Sequence, residues 1–273
     1  MTKKLSYTAW RKFVRTCCLL TALFLLCTCL FGCSAEGERT SYDADTSKAA
    51  DENDVPVSGT PKKRVALTYD DGPHNVRTKQ IVDELTKYGW HATFFVVGNR
   101  VDGTEYAGGE AMQYALRAGN EVGIHGYTHN YYYDRCTDEV YRHELDWTLQ
   151  AIREKKPGYQ VDLMRPIGGN ISSERTNECE YAVIMWSVDS EDWKYKTDSS
   201  EADHEENVNT IVENVLSDIS DGDIILMHDL YQNTYEATVI ILARLYEMGY
   251  EVVTVSELLG DDLQPGRKYV ERD

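Results

Sequence analysis

At 273 residues the chain has room for one large domain or two small ones, and 42% hydrophobic residues with 19 tyrosines are enough for a globular core. A formal charge of −18 argues against nucleic acid and against a polybasic contact with an anionic membrane surface. It leaves a neutral glycan open as a partner.

Lys3, Lys4, Arg11, Lys12 and Arg15 precede an apolar run over residues 17–32 that closes in Leu30-Phe31-Gly32-Cys33. A basic segment followed by roughly sixteen apolar residues, fewer than the ~20 of an ordinary spanning helix, reads as an export signal over residues 1–33. Its end resembles a bacterial lipoprotein signal, which implies lipidation of Cys33 as the first mature residue. An uncleaved N-terminal anchor is the alternative, and both put the domain on the outer face of the cell membrane. Cys17, Cys18, Cys27, Cys29 and Cys33 all lie in this segment and build no disulfide framework. Only Cys136 and Cys179 remain, as a bridge or as two free thiols. Residues 34–61, rich in Ser, Asp, Glu, Thr and Ala without apolar periodicity, read as an acidic flexible tether.

The folded domain is expected over residues 62–273. Apolar runs predict strands at 64–68, 93–97, 121–124, 162–164, 181–188, 223–227 and 251–255. Between them, helical patterns fall at 78–88, 109–118, 138–154, 207–217 and 234–248, with Gly89, Gly119 and Gly249 where helix stops belong. This alternation means an α/β fold with about seven mainly parallel strands, as an open sheet or an incomplete barrel. In either form catalytic groups gather at the carboxyl ends of the strands.

Polar and ionisable residues stand at five of those ends. Asp70-Asp71-Gly72-Pro73 follows the first strand, and His125-Gly126-Tyr127-Thr128-His129 the third. Arg165-Pro166-Ile167-Gly168-Gly169 follows the fourth, Asp189-Ser190-Glu191-Asp192-Trp193 the fifth and His228-Asp229 the sixth. Adjacent carboxylates resist joint ionisation, so a cation for one and a separate task for the other is the economical reading. Alternation along a strand aims Asp70 and Asp71 at different targets. His125 and His129, four apart, would share one face of a helical turn, and with one carboxylate they form a two-His, one-carboxylate set suited to zinc or another divalent first-row ion. Asp71 is the expected ligand, leaving Asp70 as a base.

Thr68-Tyr69-Asp70-Asp71-Gly72-Pro73 resembles the T-F-D-D-G-P signature of the polysaccharide deacetylases, the NodB-homology family 4 carbohydrate esterases. His125 to His129 resembles their H-[ST]-x-x-H motif, and Arg165-Pro166 the start of their third. Asp189-Ser190-Glu191-Asp192-Trp193 matches D-x-x-D-W, and Leu226-Met227-His228 matches L-x-H. All five occur in family order across 62–259. The resemblance implies a distorted (β/α) barrel and metal-dependent removal of acetyl groups from sugars. It makes Asp70 the general base and gives the metal, zinc or in its place cobalt, to Asp71, His125 and His129. It makes His228 the general acid, Asp192 its orienting carboxylate, Arg165 the brace of the base and Gly168 the backbone donor to the oxyanion. Trp193 and Leu226 are expected to line the substrate site.

Two positions depart from the family pattern. Gly126 replaces a hydroxyl residue, and Ile167-Gly168 replaces Pro-Tyr, removing an aromatic wall. Tyr131-Tyr132-Tyr133 reads as half-buried packing, with a sugar-stacking platform as the alternative. His74, His91, His143 and His204 read as surface or loop residues. The expected activity is N-deacetylation of peptidoglycan N-acetylglucosamine or N-acetylmuramic acid by a monomer. An O-acetyl xylan esterase and a glycan-binding lipoprotein without turnover are the alternatives. A glycosidase built on Asp70 and Asp71 fails, because neighbouring strand residues cannot flank a glycosidic bond across ~5 Å.

Overall fold

The structure, a computed structural model, describes residues 63–104 and 107–272. The expected export signal, lipidation of Cys33 and acidic tether lie outside the described residues. Among the described residues nine strands form the sheet, and every pairing between them is parallel. The longest, β1 (Lys63–Asp70), is the hub. It pairs with β2 (Thr93–Val96), with β7 (Ile224–His228) and, through its first residues, with β8 (Tyr250–Val252). From β2 the path runs through β3 (Glu121–Ile124), β4 (Leu163–Met164) and β5 (Ala182–Ile184) to β9 (Lys268–Tyr269). On the other side β7 carries β6 (Val188–Asp189).

Nine strands rather than seven have a physical cause. The run expected as one strand at 181–188 divides at Met185-Trp186-Ser187, and its halves join opposite ends of the path, β5 beside β4 and β6 beside β7. No strand pairing joins β6 to β5 or to β9, so the path stays open between its two ends and the barrel is distorted rather than closed. The ninth strand is two residues long, too short for an alternation pattern, and exists because Val183 and Met185 donate to Arg267 and Tyr269 carbonyls.

Alternation along the strands sorts side chains into two cores. Val65, Leu67 and Tyr69 of β1, Phe94 and Val96 of β2, and Ile225 and Met227 of β7 pack with the helices. Ala66, Phe95 and Ile224 pack instead with Leu163, Ala182, Ile184 and Val253. Thr68 and Asp70 share the parity of Ala66, and Leu226 and His228 that of Ile224. The register that sets Asp70 beside Phe95 and His228 therefore brings polar strand ends together.

The helices are amphipathic in the expected way. Helix α1 (Arg77–Lys87) buries Thr78, Ile81, Val82 and Leu85, spaced three and four apart. After α2 (Gly98–Val101) and α3 (Gly109–Arg117) comes α4 (Asp138–Lys155), capped by Thr137. The short α5 (Ser173–Asn177) precedes α6 (Glu201–Leu216), which starts six residues before its expected bound because Ser200 caps it there. Helix α7 (Gln232–Glu247) and α8 (Val255–Leu259) complete the set. Among the described residues no helix is long and apolar enough to cross a membrane.

Candidate active site

Asp71 takes φ 71° and so leaves the strand path that Asp70 ends. Positive φ is uncommon for a non-glycine residue, and here it turns the two carboxylates apart. Gly72 follows because no side chain fits: a Cβ there would overlap the Asp229 carboxylate.

The first target is Arg165, which is fully buried. One of its terminal nitrogens donates to Asp70 Oδ1 at 2.8 Å and to Thr68 Oγ1 at 2.7 Å. Its Nε donates to the Ile184 carbonyl at 3.1 Å and its other terminal nitrogen to the Met185 carbonyl at 2.8 Å. Those carbonyls stand where β5 ends, so the guanidinium satisfies backbone acceptors at the point where that strand leaves the sheet. The Phe95 ring lies 4.3 Å below it and the Trp186 ring 5.6 Å away. A buried arginine with every side satisfied holds Asp70 in one place.

The second target is the imidazole pair. His125 Nε2 lies 3.3 Å and His129 Nε2 2.9 Å from Asp71 Oδ1. That oxygen is buried and accepts no hydrogen bond from a described residue. His125 Nδ1 lies 2.9 Å from the Arg165 carbonyl, which fixes the proton on Nδ1 and leaves the Nε2 lone pair free. One orphaned carboxylate oxygen and two imidazoles, with candidate ligand atoms all within 4.8 Å of one another, fit a divalent first-row cation. Burial opposes ionisation of Asp71, yet the two imidazoles hold its carboxyl well below the usual carboxylate range.

The expected helical turn between His125 and His129 is absent. The segment is a loop, bent at Gly126 (φ 83°) and at His129 (φ 60°), and it brings the rings to 5.3 Å between centroids. Its shape comes from Glu144 in the middle of α4, a residue the sequence pattern did not single out. The buried Glu144 carboxylate accepts from Tyr127 N–H at 2.8 Å, Thr128 N–H at 2.9 Å and the Thr128 hydroxyl at 2.7 Å.

A third group stands at the end of β7. His228 Nδ1 meets Asp192 Oδ1 at 2.7 Å, and its backbone N–H donates to Asp192 Oδ2 at 2.8 Å. Thr234 of α7 donates its hydroxyl to the same Oδ2 at 2.6 Å. Burial alone would lower the His228 pKa, but the charge and hydrogen bond of Asp192, helped by Asp71 and Asp70, raise it to about 9. A cation beside Asp71 would offset part of that rise. Asp229, next in sequence, is buried against Gly72 and accepts from the Thr78 hydroxyl; burial pushes its carboxyl up to about 7.

Leu226 is buried on β7 and Trp193 is half-exposed beside Asp192. Gly168 sits in the turn Ile167–Gly169 with φ 57°, and its N–H makes no hydrogen bond among the described residues. A cavity of about 180 Å³ opens beside Asp71, His129, Thr128 and Arg100. A larger one, about 440 Å³, lies between α4 and α5 with none of these residues in its wall. Of the four other histidines, His204 bridges Asp198 and Glu236, His143 stacks on Trp147, and His74 Nδ1 accepts from the first turn of α1. Cys136 and Cys179 are free thiols.

A split parallel barrel carrying an Asp-His-His cluster, a braced carboxylate and a carboxylate-backed histidine defines a hydrolase-like scaffold with a candidate cation site. The family model for polysaccharide deacetylase matches residues 58–184. A peptidoglycan-N-acetylmuramic acid deacetylase of Bacillus subtilis is 40% identical over 72% of this chain and 39% of its own length. A peptidoglycan-N-acetylglucosamine deacetylase of Bacillus cereus is 32% identical over 72% of this chain and 89% of its own. Among solved structures, a family 4 acetyl xylan esterase from Clostridium thermocellum, in complex with a cobalt ion, superposes with a TM-score of 0.66. It is 28% identical and covers 77% of this chain and 98% of its own. The chain belongs to the polysaccharide deacetylase family. It spans about two fifths of the length of the first curated relatives it matches.

Proposed function

We propose that this chain is a metal-dependent hydrolase that removes N-acetyl groups from cell-wall glycan, with peptidoglycan N-acetylglucosamine or N-acetylmuramic acid as substrate. The observation that carries the reading is the convergence of three differently prepared groups at one end of one sheet: Asp70 on Arg165, Asp71 with the two histidines, and His228 on Asp192. The relatives named for peptidoglycan deacetylation support the substrate class.

Asp71, His125 and His129 would hold the ion, with zinc favoured by the donor set and cobalt compatible with it. A bound divalent ion supplies polarisation of the acetyl carbonyl and a lower pKa for attacking water. Asp70, kept in place by Arg165, takes the proton from that water. Gly168 N–H donates to the oxygen on which negative charge develops. His228, protonated at neutral pH, hands its proton to the departing nitrogen, while Asp192 keeps the ring oriented and stabilises its charge. Trp193 and Leu226 line the pocket for sugar and acetyl methyl. An amide leaving group needs such an acid because an amine anion leaves poorly. O-acetyl groups are the second reading, favoured by the likeness to the acetyl xylan esterase.

The test is acetate release from purified peptidoglycan and chitooligosaccharides, with chelator and with metal restored. Release that stops on chelation and returns with zinc supports the reading. No release from either, with metal bound, overturns it and moves acetylated xylan forward. The N-terminal region completes the proposal: residues 1–33 as export signal, Cys33 as lipid attachment, 34–61 as tether and 62–273 as a monomeric catalytic domain at the outer face of the cell membrane. Mass spectrometry of the mature N-terminus checks it, since an unmodified Cys33 would leave only the anchor.

A further inference from the structure

Gly126 follows the proposed ligand His125 and Gly168 is the proposed oxyanion donor, and consecutive tyrosines of one loop fill the room beside them. A Cβ built on Gly168 would lie 3.2 Å from the Tyr132 ring, and one built on Gly126 would lie 2.6 Å from the Tyr133 hydroxyl. The two rings have opposite fates. Tyr133 is fully buried, edge-on to Tyr141 at 5.1 Å, and its hydroxyl has no hydrogen-bond partner among the described residues. Tyr132 is 45% exposed.

The loop is not free to drift. Tyr133 N–H donates to the Asn170 carbonyl at 2.9 Å and Tyr133 forms a parallel bridge with Ile171. Asn170 Nδ2 donates to the Gly168 carbonyl at 2.7 Å. The Tyr132 carbonyl accepts from Arg135 and Cys136 N–H, and the Arg135 guanidinium stands 5.0 Å from the ring. The buried tyrosine thus anchors the exposed one over Gly168, whose N–H is unpaired. Ile167 Cδ1, one residue earlier, comes within 3.2 Å of a Cβ built on Gly126, next to His125. So the ring stands against the residue proposed to hold the acetyl oxygen. Tyr246, also exposed, differs: it packs on Tyr88 and Trp90 at the foot of α7.

We infer that Tyr132 is a specificity-determining residue, the stacking surface for the pyranose ring that carries the acetyl group. A pyranose presents a C–H face of low polarity, and a half-exposed aromatic ring held by its neighbours covers such a face at little entropic cost. The phenol hydroxyl is not part of the contact. This inference rests on the deacetylase reading for its substrate class.

The test compares the zinc-loaded full chain with Tyr132→Ala and Tyr132→Phe on a chitooligosaccharide, reading KM and kcat for acetate release. Tyr132→Ala should raise KM about tenfold and leave kcat within about threefold, and Tyr132→Phe should match the parent. Zinc affinity, measured on each variant, should stay unchanged, since the ring touches no ligand. An unchanged KM in Tyr132→Ala overturns the inference while leaving the deacetylase reading intact. If the parent releases no acetate from the chitooligosaccharide or from peptidoglycan, that reading fails. Binding of the same oligosaccharide to the three proteins by calorimetric titration then decides: weaker binding by Tyr132→Ala alone supports stacking, and equal affinities, or no binding by the parent, overturn it.

Discussion

The two ends of the site are finished to different degrees. At β7 the Asp192 carboxylate is saturated: ring, backbone and Thr234 hydroxyl all address it, and Asp192 is wholly buried. At β1 the Asp71 carboxylate keeps an orphaned oxygen, on a residue at positive φ, facing a histidine also at positive φ. Burying a polar group without a partner costs on the order of 1–3 kcal/mol, and left-handed backbone adds to it. The His228–Asp192 end is complete as protein alone. The end proposed to hold a cation keeps a carboxylate oxygen without a hydrogen-bond donor among the described residues on left-handed backbone, as expected where function rather than stability sets the geometry.

That contrast is broken most severely at the residue between the two ends. Asp70→Asn keeps an oxygen for Arg165 but removes the proposed base, and should cut kcat by about 10²–10⁴ with metal still bound. The uncompensated Arg165 should also cost stability, by roughly 3 kcal/mol, visible as a lower melting temperature. An unchanged rate would exclude Asp70 as the base. Next comes the cation end itself. Asp71→Ala should abolish stoichiometric zinc binding, and zinc at a hundredfold excess over Kd should stabilise the parent by about 2.7 kcal/mol and leave this variant unmoved. Equal thermal shifts in both would place the ion elsewhere. Glu144→Gln acts more gently. It replaces the charge that orders the loop at Tyr127 and Thr128, and should weaken zinc binding about 10–100-fold without touching the ion.

How much of this could be read from the sequence differs between the same regions. Residues that end a strand were legible, because one polar group after an apolar run is a one-dimensional signal: Asp70, Arg165, Asp192 and His228 stand where expected relative to the strands. Shape that depends on a distant partner was not. His125 and His129 are four apart, which suits a helix, but the turn is set by Glu144 on α4 through bonds no spacing reveals. Glu144 itself looks like Glu139 or Glu154 on the same helix, and only burial separates them. The break of 181–188 into β5 and β6 was hidden for a similar reason. Both halves are apolar, and nothing in the pattern shows that the Ile184 and Met185 carbonyls at the break turn to Arg165, 19 and 20 residues away. Tyr131-Tyr132-Tyr133 read as packing, which holds for Tyr133 but not for its two exposed neighbours.

The smallest expected effect probes the finished end, and its sign follows from competing environments. Burial favours neutral His228 and Asp192 favours the charged ring; Asp192 wins, and the pKa rises from 6.5 to about 9. A raised histidine pKa means the protonated acid is present below that value and is lost as pH climbs through it. The same interaction stabilises the fold fully below pH 6.5 and loses that contribution as pH rises to about 9. Asp192→Asn removes the charge but keeps an acceptor for the ring, so burial then prevails. The alkaline limb of kcat should move from near pH 9 toward or below 6.5, with the bound cation pulling both profiles somewhat lower. At pH 6 the variant should keep much of the parent's activity, and the deficit should widen with each step toward pH 8. A loss equal at every pH would show that Asp192 only positions the ring. An unmoved limb with full activity would mean that His228 is not the group whose proton the leaving nitrogen takes.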